Sequence, residues 1–171
     1  VFTGTWLTAA KREFSRKNEG CHNRFKHLLS GDPTRQEILE TALEWISFAQ
    51  YSDKNVDKNI CRYMGEHQED ENANELKEYF EKVCKWAEEV AGDRNFNSDL
   101  IKLGSRWGEL YHKSHDKFVI DREKIDAEIK KLRLDDEVNT KPKGFIPYII
   151  TGNPNELFQR QFSTAMKKKA Y

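Results

Sequence analysis

The stretch that decides the fold prediction is residues 31–49, "GDPTRQEILETALEWISFA". It combines a helix start with a broad apolar face, because Asp32 can cap a helix and Pro33 suits the first helical position. Apolar side chains then recur at helical spacing: Ile38, Leu39, Ala42, Trp45, Ile46 and Ala49. A face this wide needs other helices to pack against, so the stretch predicts a buried amphipathic helix.

A second stretch, residues 72–93, repeats this pattern over a longer span as "NANELKEYFEKVCKWAEEVAGD". Its apolar stripe consists of Leu76, Tyr79, Phe80, Val83, Trp86, Ala87 and Val90. Glu and Lys occupy the opposite side, and Gly92 closes the pattern. These two stretches predict two long helices that pack against each other or against further helices.

The remaining segments also have helical period, and none has the alternation of a strand pair. Asp121 can cap a helix that begins after it, and Asn153 resembles the start of a capping box. The apolar run "FIPYIITG" at 145–152 contains Pro147, which favours a short buried helix over a strand. We therefore predict one all-α domain over residues 1–171, with about seven or eight helices and no significant sheet.

Composition indicates a folded, water-soluble protein. Hydrophobic residues make up 37% and charged residues 34%, with ten Phe, six Tyr and four Trp, which is more aromatic than disordered chains are. No apolar run reaches the roughly 18 residues that span a bilayer, and no signal peptide is visible. Cys21, Cys61 and Cys84 are odd in number and widely spaced, which is typical of free thiols in a reducing compartment. We expect a cytoplasmic protein without a membrane partner.

Charge is distributed unevenly although the net charge is zero. Residues 1–30 carry six Lys and Arg against two Asp and Glu, and residues 141–171 carry six against one. Residues 31–92 carry seven against fifteen. An anionic partner is therefore expected to meet the two ends of the chain.

The basic ends supply our candidate nucleic-acid contacts. They are Lys11, Arg12 and Arg16 near the start, with Lys17, Arg24 and Lys26 following them, and Arg160, Lys167, Lys168 and Lys169 near the end. Lysines at the end of a helix are also favoured by the helix dipole alone, for a few tenths of a kcal/mol each. Contact with the phosphates of duplex DNA and this dipole effect both remain open.

Other constellations give weaker signals. His112 and His115 have metal-ligand spacing, but a zinc site needs three or four ligands and no third can be named. Asp70 followed by "ELK" at Glu75 to Lys77 only superficially matches a metal-dependent nuclease site, because those residues lie on the solvent side of a helix. The sequence contains no phosphate loop, nucleophile elbow or Cys-x-x-Cys pair. We predict no metal, no cofactor and no catalytic residue in this chain.

Two carboxylates are placed where the helix dipole disfavours negative charge. Asp135 and Asp136 follow a predicted helix, at the end where negative charge is unfavourable. They are candidates for contact with a partner's arginine, or for capping the next segment.

The two ends of the chain also raise a question of completeness. The chain begins at Val1 without an initiator methionine and ends in "FSTAMKKKAY", within a helical pattern. We expect a piece of a larger protein. In it, residues 141–152 are a linker-like break, and residues 153–171 begin a helix that leads into a further domain.

Several stretches occur together in one order: "GDPTRQEILETALEWIS", "YMGEHQEDENANELKEYFEKVCKWA", "RWGELYHKS", "LRLDDEVNTKPKGFIPYIITGNP" and "FSTAMKKKAY". This series resembles the helical region upstream of the HNH nuclease domain in GmrSD-like bacterial defence proteins. In that family a ParB-like NTPase and nuclease domain comes first and a zinc-containing HNH domain comes last. The resemblance implies that the catalytic residues of this metal-dependent endonuclease follow Tyr171, so that this chain alone does not cut DNA.

Three functional hypotheses follow. The preferred one is a non-catalytic helical connector that positions the HNH domain of a restriction-type nuclease and contacts DNA. The alternative is a protein-interaction scaffold without nucleic-acid contact, whose acidic middle meets another subunit or domain. The third is a metal-dependent enzyme that uses His112 and His115.

Overall fold

The prediction of an all-α fold is confirmed by a computed structural model, which describes residues 4–17, 20–29, 31–92, 103–134 and 144–158. Within these ranges the chain forms helices and turns, and no strand occurs. The eight α-helices that the ranges contain are α1 Thr5–Phe14, α2 Glu37–Tyr51, α3 Val56–His67, α4 Asn74–Ala91, α5 Arg106–Ser114, α6 Arg122–Leu134, α7 Phe145–Thr151 and α8 Asn155–Phe158. Two short 3-10 helices are η1 Cys21–Phe25 and η2 Pro33–Arg35.

The main core forms where α1, η1, α2 and α4 meet, and Phe80 of α4 lies at its centre. Its ring is fully buried and contacts three other aromatic rings. The centroid of Phe80 lies 5.1 Å from that of Phe14, 6.1 Å from that of Phe25 and 5.5 Å from that of Trp45. The apolar stripes that predicted α2 and α4 therefore face each other, which is one of the two packings expected from the sequence.

The start of α2 differs from the expectation. Asp32 does act as a cap, because its carboxylate accepts a hydrogen bond from the backbone N–H of Thr34 at 2.9 Å. However, the capped element is the 3-10 turn η2, and Gln36 then adopts a left-handed conformation with φ of 63°. This residue separates η2 from α2, which begins only at Glu37. The two helix ends expected near Gly92 and Asp121 are confirmed.

Helices α2 and α5 approach each other closely at a glycine. Trp45 of α2 lies against Gly108, and an ideal Cβ on that glycine would come within 2.1 Å of the indole Cδ1. The indole Nε1–H of Trp45 donates a hydrogen bond to the carbonyl of Ser105 at 2.9 Å. Glycine at this position allows the indole ring to fill the space between the two helices.

A second, smaller cluster lies between α6, α7 and α8. Its buried members are Ile125, Ile129, Leu132, Phe145 and Leu157. Helix α7 joins the two cores, because Ile146 and Ile150 belong to the main core while Phe145 belongs to the smaller one. The short buried helix predicted around Pro147 is thus confirmed, and it takes up most of the stretch 141–152.

Membrane insertion was not expected from the sequence. Across the part of the chain that the structure describes, no helix combines the length and apolar character needed to cross a bilayer.

Candidate nucleic-acid interface

The N-terminal candidate residues are exposed on α1, on η1 and on the turns that follow these two elements. Helix α1 buries Trp6, Ala10 and Phe14, which leaves Lys11 and Arg12 of its last turn exposed. We call the following exposed side chains the N-terminal basic surface: Lys11, Arg12, Arg16, Lys17, Arg24 and Lys26.

Two separate elements contribute to the N-terminal basic surface, and a buried histidine ties them together. His22 of η1 is 3% exposed, and its Nδ1–H donates a hydrogen bond to the carbonyl of Glu13 in α1 at 2.8 Å. Phe25 of η1 is buried next to Phe80. These contacts hold η1, and with it Arg24, against the end of α1.

The carboxylates of Glu13 and Asp32 lie near this surface, and their described contacts leave Lys11 and Arg12 unpaired. Glu13 is directed to α4, where its carboxylate lies 3.8 Å from the Lys77 ammonium. Hydrogen bonds from Thr34 lower the pKa of Asp32, and the positive charge of Lys17 contributes to this effect. Lys11 and Arg12 form no ion pair with any residue in the described ranges.

The other candidate contact residues fall outside the described residues. Arg160 and the lysines at 167–169 lie beyond Phe158, where the described part of the chain ends. Asp135 and Asp136 follow directly after Leu134, at the end of another described range. Their proposed contacts with DNA or with a partner therefore stay predictions from the sequence.

The two histidines with metal-ligand spacing take part in ring contacts. The ring of His112 packs edge-on against Phe48, with 5.5 Å between centroids. His115 stacks on Tyr111 at 4.2 Å, and its Nδ1–H donates to the carbonyl of Tyr111 at 2.6 Å. In the described ranges, no group of three or more His, Cys, Asp or Glu side chains could hold a metal ion.

The residues that superficially match a nuclease site form hydrogen bonds and ion pairs within the fold. Asp70 lies 2.7 Å from the Nδ1 of His67, at the C-terminal end of α3. Glu75 accepts a hydrogen bond from Gln50 at 2.6 Å, so it connects α4 to α2. Lys77 pairs with Glu13, as described above. Asp70, Glu75 and Lys77 therefore each pair with a different residue and do not form one metal site.

The three cysteines are free thiols, as the sequence predicted. Burial, together with the nearby carboxylates of Glu13 and Glu81, raises the pKa of Cys21 to about 12. Burial also raises the pKa of Cys84. Since the thiolate is the nucleophile, these two thiols are unreactive at neutral pH.

The structure also contains a groove that sequence reasoning did not find. It is an open cavity of about 330 Å³ between α2, the start of α3 and α5. Trp45, Phe48 and Val56 form its apolar lining, and Glu44 lies beside them. Burial raises the pKa of Glu44, and the negative charges of Glu40 and Asp57 raise it further.

Comparison with known proteins gave no relative: no protein-family model, no curated protein and no solved structure matches the chain.

Proposed function

We propose that this chain is a non-catalytic helical connector of a cytoplasmic, restriction-type endonuclease. In this proposal it contacts duplex DNA through the N-terminal basic surface and positions an HNH nuclease domain. The sequence resemblance supports the placement within a nuclease. The observation that carries the DNA contact is the hydrogen bond between His22 and the carbonyl of Glu13, which holds η1, with the exposed Arg24, against α1, with the exposed Lys11 and Arg12.

The helix dipole explains only part of this arrangement. It favours Lys11 and Arg12, which lie in the last turn of α1, by a few tenths of a kcal/mol each. It gives no reason for Arg24 to be exposed on a separate element held against that turn. A phosphate backbone, by contrast, favours every cation that it can reach, because each contact releases a bound counterion.

Charge balance also favours an anionic partner. The nearest carboxylate in the sequence, that of Glu13, pairs with Lys77 of α4 rather than with Lys11 or Arg12. Lys11 and Arg12, which form no ion pair in the described ranges, remain available to an external anion. If the lysines at 167–169 contact DNA as well, the connector has a basic region at each end.

The proposal is tested by fluorescence anisotropy with a labelled DNA duplex over a range of salt concentrations. We expect weak binding that decreases steeply as salt rises. In the double variant Lys11→Gln/Arg12→Gln, the slope of log affinity against log salt should become less negative by about 1–2, since up to two phosphate contacts are lost.

The matched control is Lys82→Gln/Lys85→Gln, which removes the same charge from exposed positions on α4. This control should have the same slope of log affinity against log salt as the wild type, because α4 contributes no residue to the N-terminal basic surface. Equal losses in both variants would show that only net charge matters. Absence of salt-dependent binding, together with a defined oligomer or partner complex in light scattering, would favour the protein-interaction scaffold instead.

A further inference from the structure

The groove between α2 and α5 has the construction of a small-ligand site. Its volume of about 330 Å³ is at the lower end of the usual range for ligand pockets, about 300–1,000 Å³. Trp45 and Phe48 of α2 line it with aromatic side chains, of which Trp45 is only 3% exposed, and Val56 of α3 is 47% exposed. A cavity of this size suits a small molecule better than a helix or an extended peptide.

The shape of the groove is fixed by the contacts behind it. The indole of Trp45 is held by its hydrogen bond to the carbonyl of Ser105 and packs directly on Gly108. On its core side the indole stacks on Phe80. The ring that lines the groove is therefore held in place, which lowers the entropy lost on binding.

Most charged groups that line the groove already have partners. The guanidinium of Arg106 binds the carboxylate of Glu156 at 2.8 Å, outside the lining. Lys113 lies 2.7 Å from Glu109 in the next turn of α5, so these two neutralise each other. The carboxylate of Asp53 lies 3.0 Å from the Lys58 ammonium.

Glu44 is the exception among the acidic lining residues. Its side chain is half-buried beside Trp45, and it forms no ion pair or hydrogen bond with a residue in the described ranges. The negative charges of Glu40 and Asp57 act on this carboxylate and, together with its burial, raise its pKa. A partly buried carboxylate in this surrounding is stabilised by a positive group that enters the groove.

We propose that this groove binds a small organic cation, with an ammonium or guanidinium head on Glu44 and an aromatic or alkyl body against Trp45 and Phe48. The apolar lining accepts the body of the ligand, and the carboxylate of Glu44 attracts its cationic head. Lys54, exposed at the rim, disfavours additional positive charge and so favours a ligand with a single cationic head. This activity is separate from the proposed DNA contact, which lies on α1 and η1.

The test uses two probes of the same shape. Phenethylamine carries an ammonium head at neutral pH, whereas phenethyl alcohol is neutral. Each is titrated into the ¹⁵N-labelled full chain while the four tryptophan indole N–H signals are followed by NMR. We expect phenethylamine to shift the indole signal of Trp45 in a saturable way and to leave that of Trp86 unchanged. The alcohol should bind at least about tenfold more weakly, because it cannot pair with the carboxylate.

The variant Glu44→Gln keeps the shape of the side chain and removes its charge. We expect it to weaken phenethylamine binding about tenfold or more while the far-UV circular dichroism spectrum stays unchanged. The matched control is Glu89→Gln, which removes the same charge from an exposed position on α4, away from the groove. It should bind phenethylamine as the wild type does.

Three results would overturn the proposal. The first is equal binding of the amine and the alcohol, and the second is equal binding by Glu44→Gln and the wild type. The third is binding of a capped Phe-Arg dipeptide without binding of phenethylamine, which would assign the groove to a protein partner. None of these results depends on whether the chain binds DNA.

Discussion

The two hydrophobic clusters differ in how their side chains support one another. In the main core, aromatic rings from three other elements, those of Phe14, Phe25 and Trp45, all contact the ring of Phe80. The smaller cluster consists of five aliphatic and aromatic side chains between α6, α7 and α8. Close to it, Leu134 at the end of α6 is 83% exposed.

This difference indicates different tolerance to change. A ring removed from an interlocked core leaves a cavity that rigid neighbours cannot fill, so the loss adds to the lost burial. A side chain removed from a small cluster near the surface leaves neighbours that can move or meet water. The main core should therefore govern global stability, while the smaller cluster governs local opening of the C-terminal helices.

The largest effect should come from Phe80→Ala at the centre of the main core. It removes three ring contacts from a fully buried site, so we expect a loss of about 3–5 kcal/mol in the free energy of unfolding. Urea denaturation followed by circular dichroism measures this loss. A decrease below about 1 kcal/mol would mean that the ring is not part of a rigid core.

The next effect should come from Ile129→Ala in the smaller cluster, where Ile129 is 5% exposed. We expect a loss of about 2 kcal/mol, at the low end for such a change, because the cluster can collapse around the smaller side chain. Amide hydrogen exchange should show faster exchange in α6 with little change in α4. Equal acceleration in both helices would show that the two clusters unfold as one unit.

The two clusters were also predicted with different success. The stripes of α2 and α4 repeat over four or five turns, so periodicity alone identified the main core. The division into two clusters could not be predicted, because the adjacent α7 residues Ile146 and Phe145 pack in different clusters. Adjacent residues with different packing partners give no periodic signal. The 3-10 turn before α2 was missed because the Asp32 cap looks the same in both helix types.

A smaller effect should come from the ion pair that connects the two regions. Arg106 of α5 binds Glu156 of α8, whose side chain is 14% exposed. Replacing Glu156 by Gln should lower the free energy of unfolding by about 1 kcal/mol, since a charge-assisted hydrogen bond becomes a neutral one. A double-mutant cycle with Arg106→Gln isolates the pair. A coupling energy near zero would mean that the apolar contacts alone attach α8.

The groove shows why candidate sites are harder to predict than helices. Trp45 and Ser105 are sixty positions apart in the sequence, and no local pattern relates them. The one available signal was Gly108, which lies inside α5 in the structure, because a glycine within a helix often marks a close approach by another element. The N-terminal basic surface was easier to predict because its charges are close together in the chain.

The smallest expected effect is an increase in stability, and it comes from Glu44→Gln on α2. Burial raises the pKa of Glu44 in the folded state, with Glu40 and Asp57 adding to the shift. Folding therefore favours the protonated carboxyl, and stability falls as pH rises through the folded-state pKa. At neutral pH the ionised group opposes folding, so the variant should be more stable by up to about 0.5 kcal/mol.

The gain from Glu44→Gln should disappear at acidic pH, below the ordinary carboxyl pKa, because Glu44 is then protonated in both folded and unfolded chains. Urea denaturation at neutral and acidic pH measures both values, and Glu89→Gln on α4 is the matched control. If Glu44→Gln were less stable than the wild type at neutral pH, the Glu44 carboxylate would have a stabilising partner in the folded chain, which would contradict this prediction. A gain in stability combined with weaker binding of phenethylamine is typical of a binding residue, since such residues are selected for a ligand rather than for the fold. Glu44, on the outer side of α2, would then be a position that lowers the stability of the fold and contributes to ligand binding.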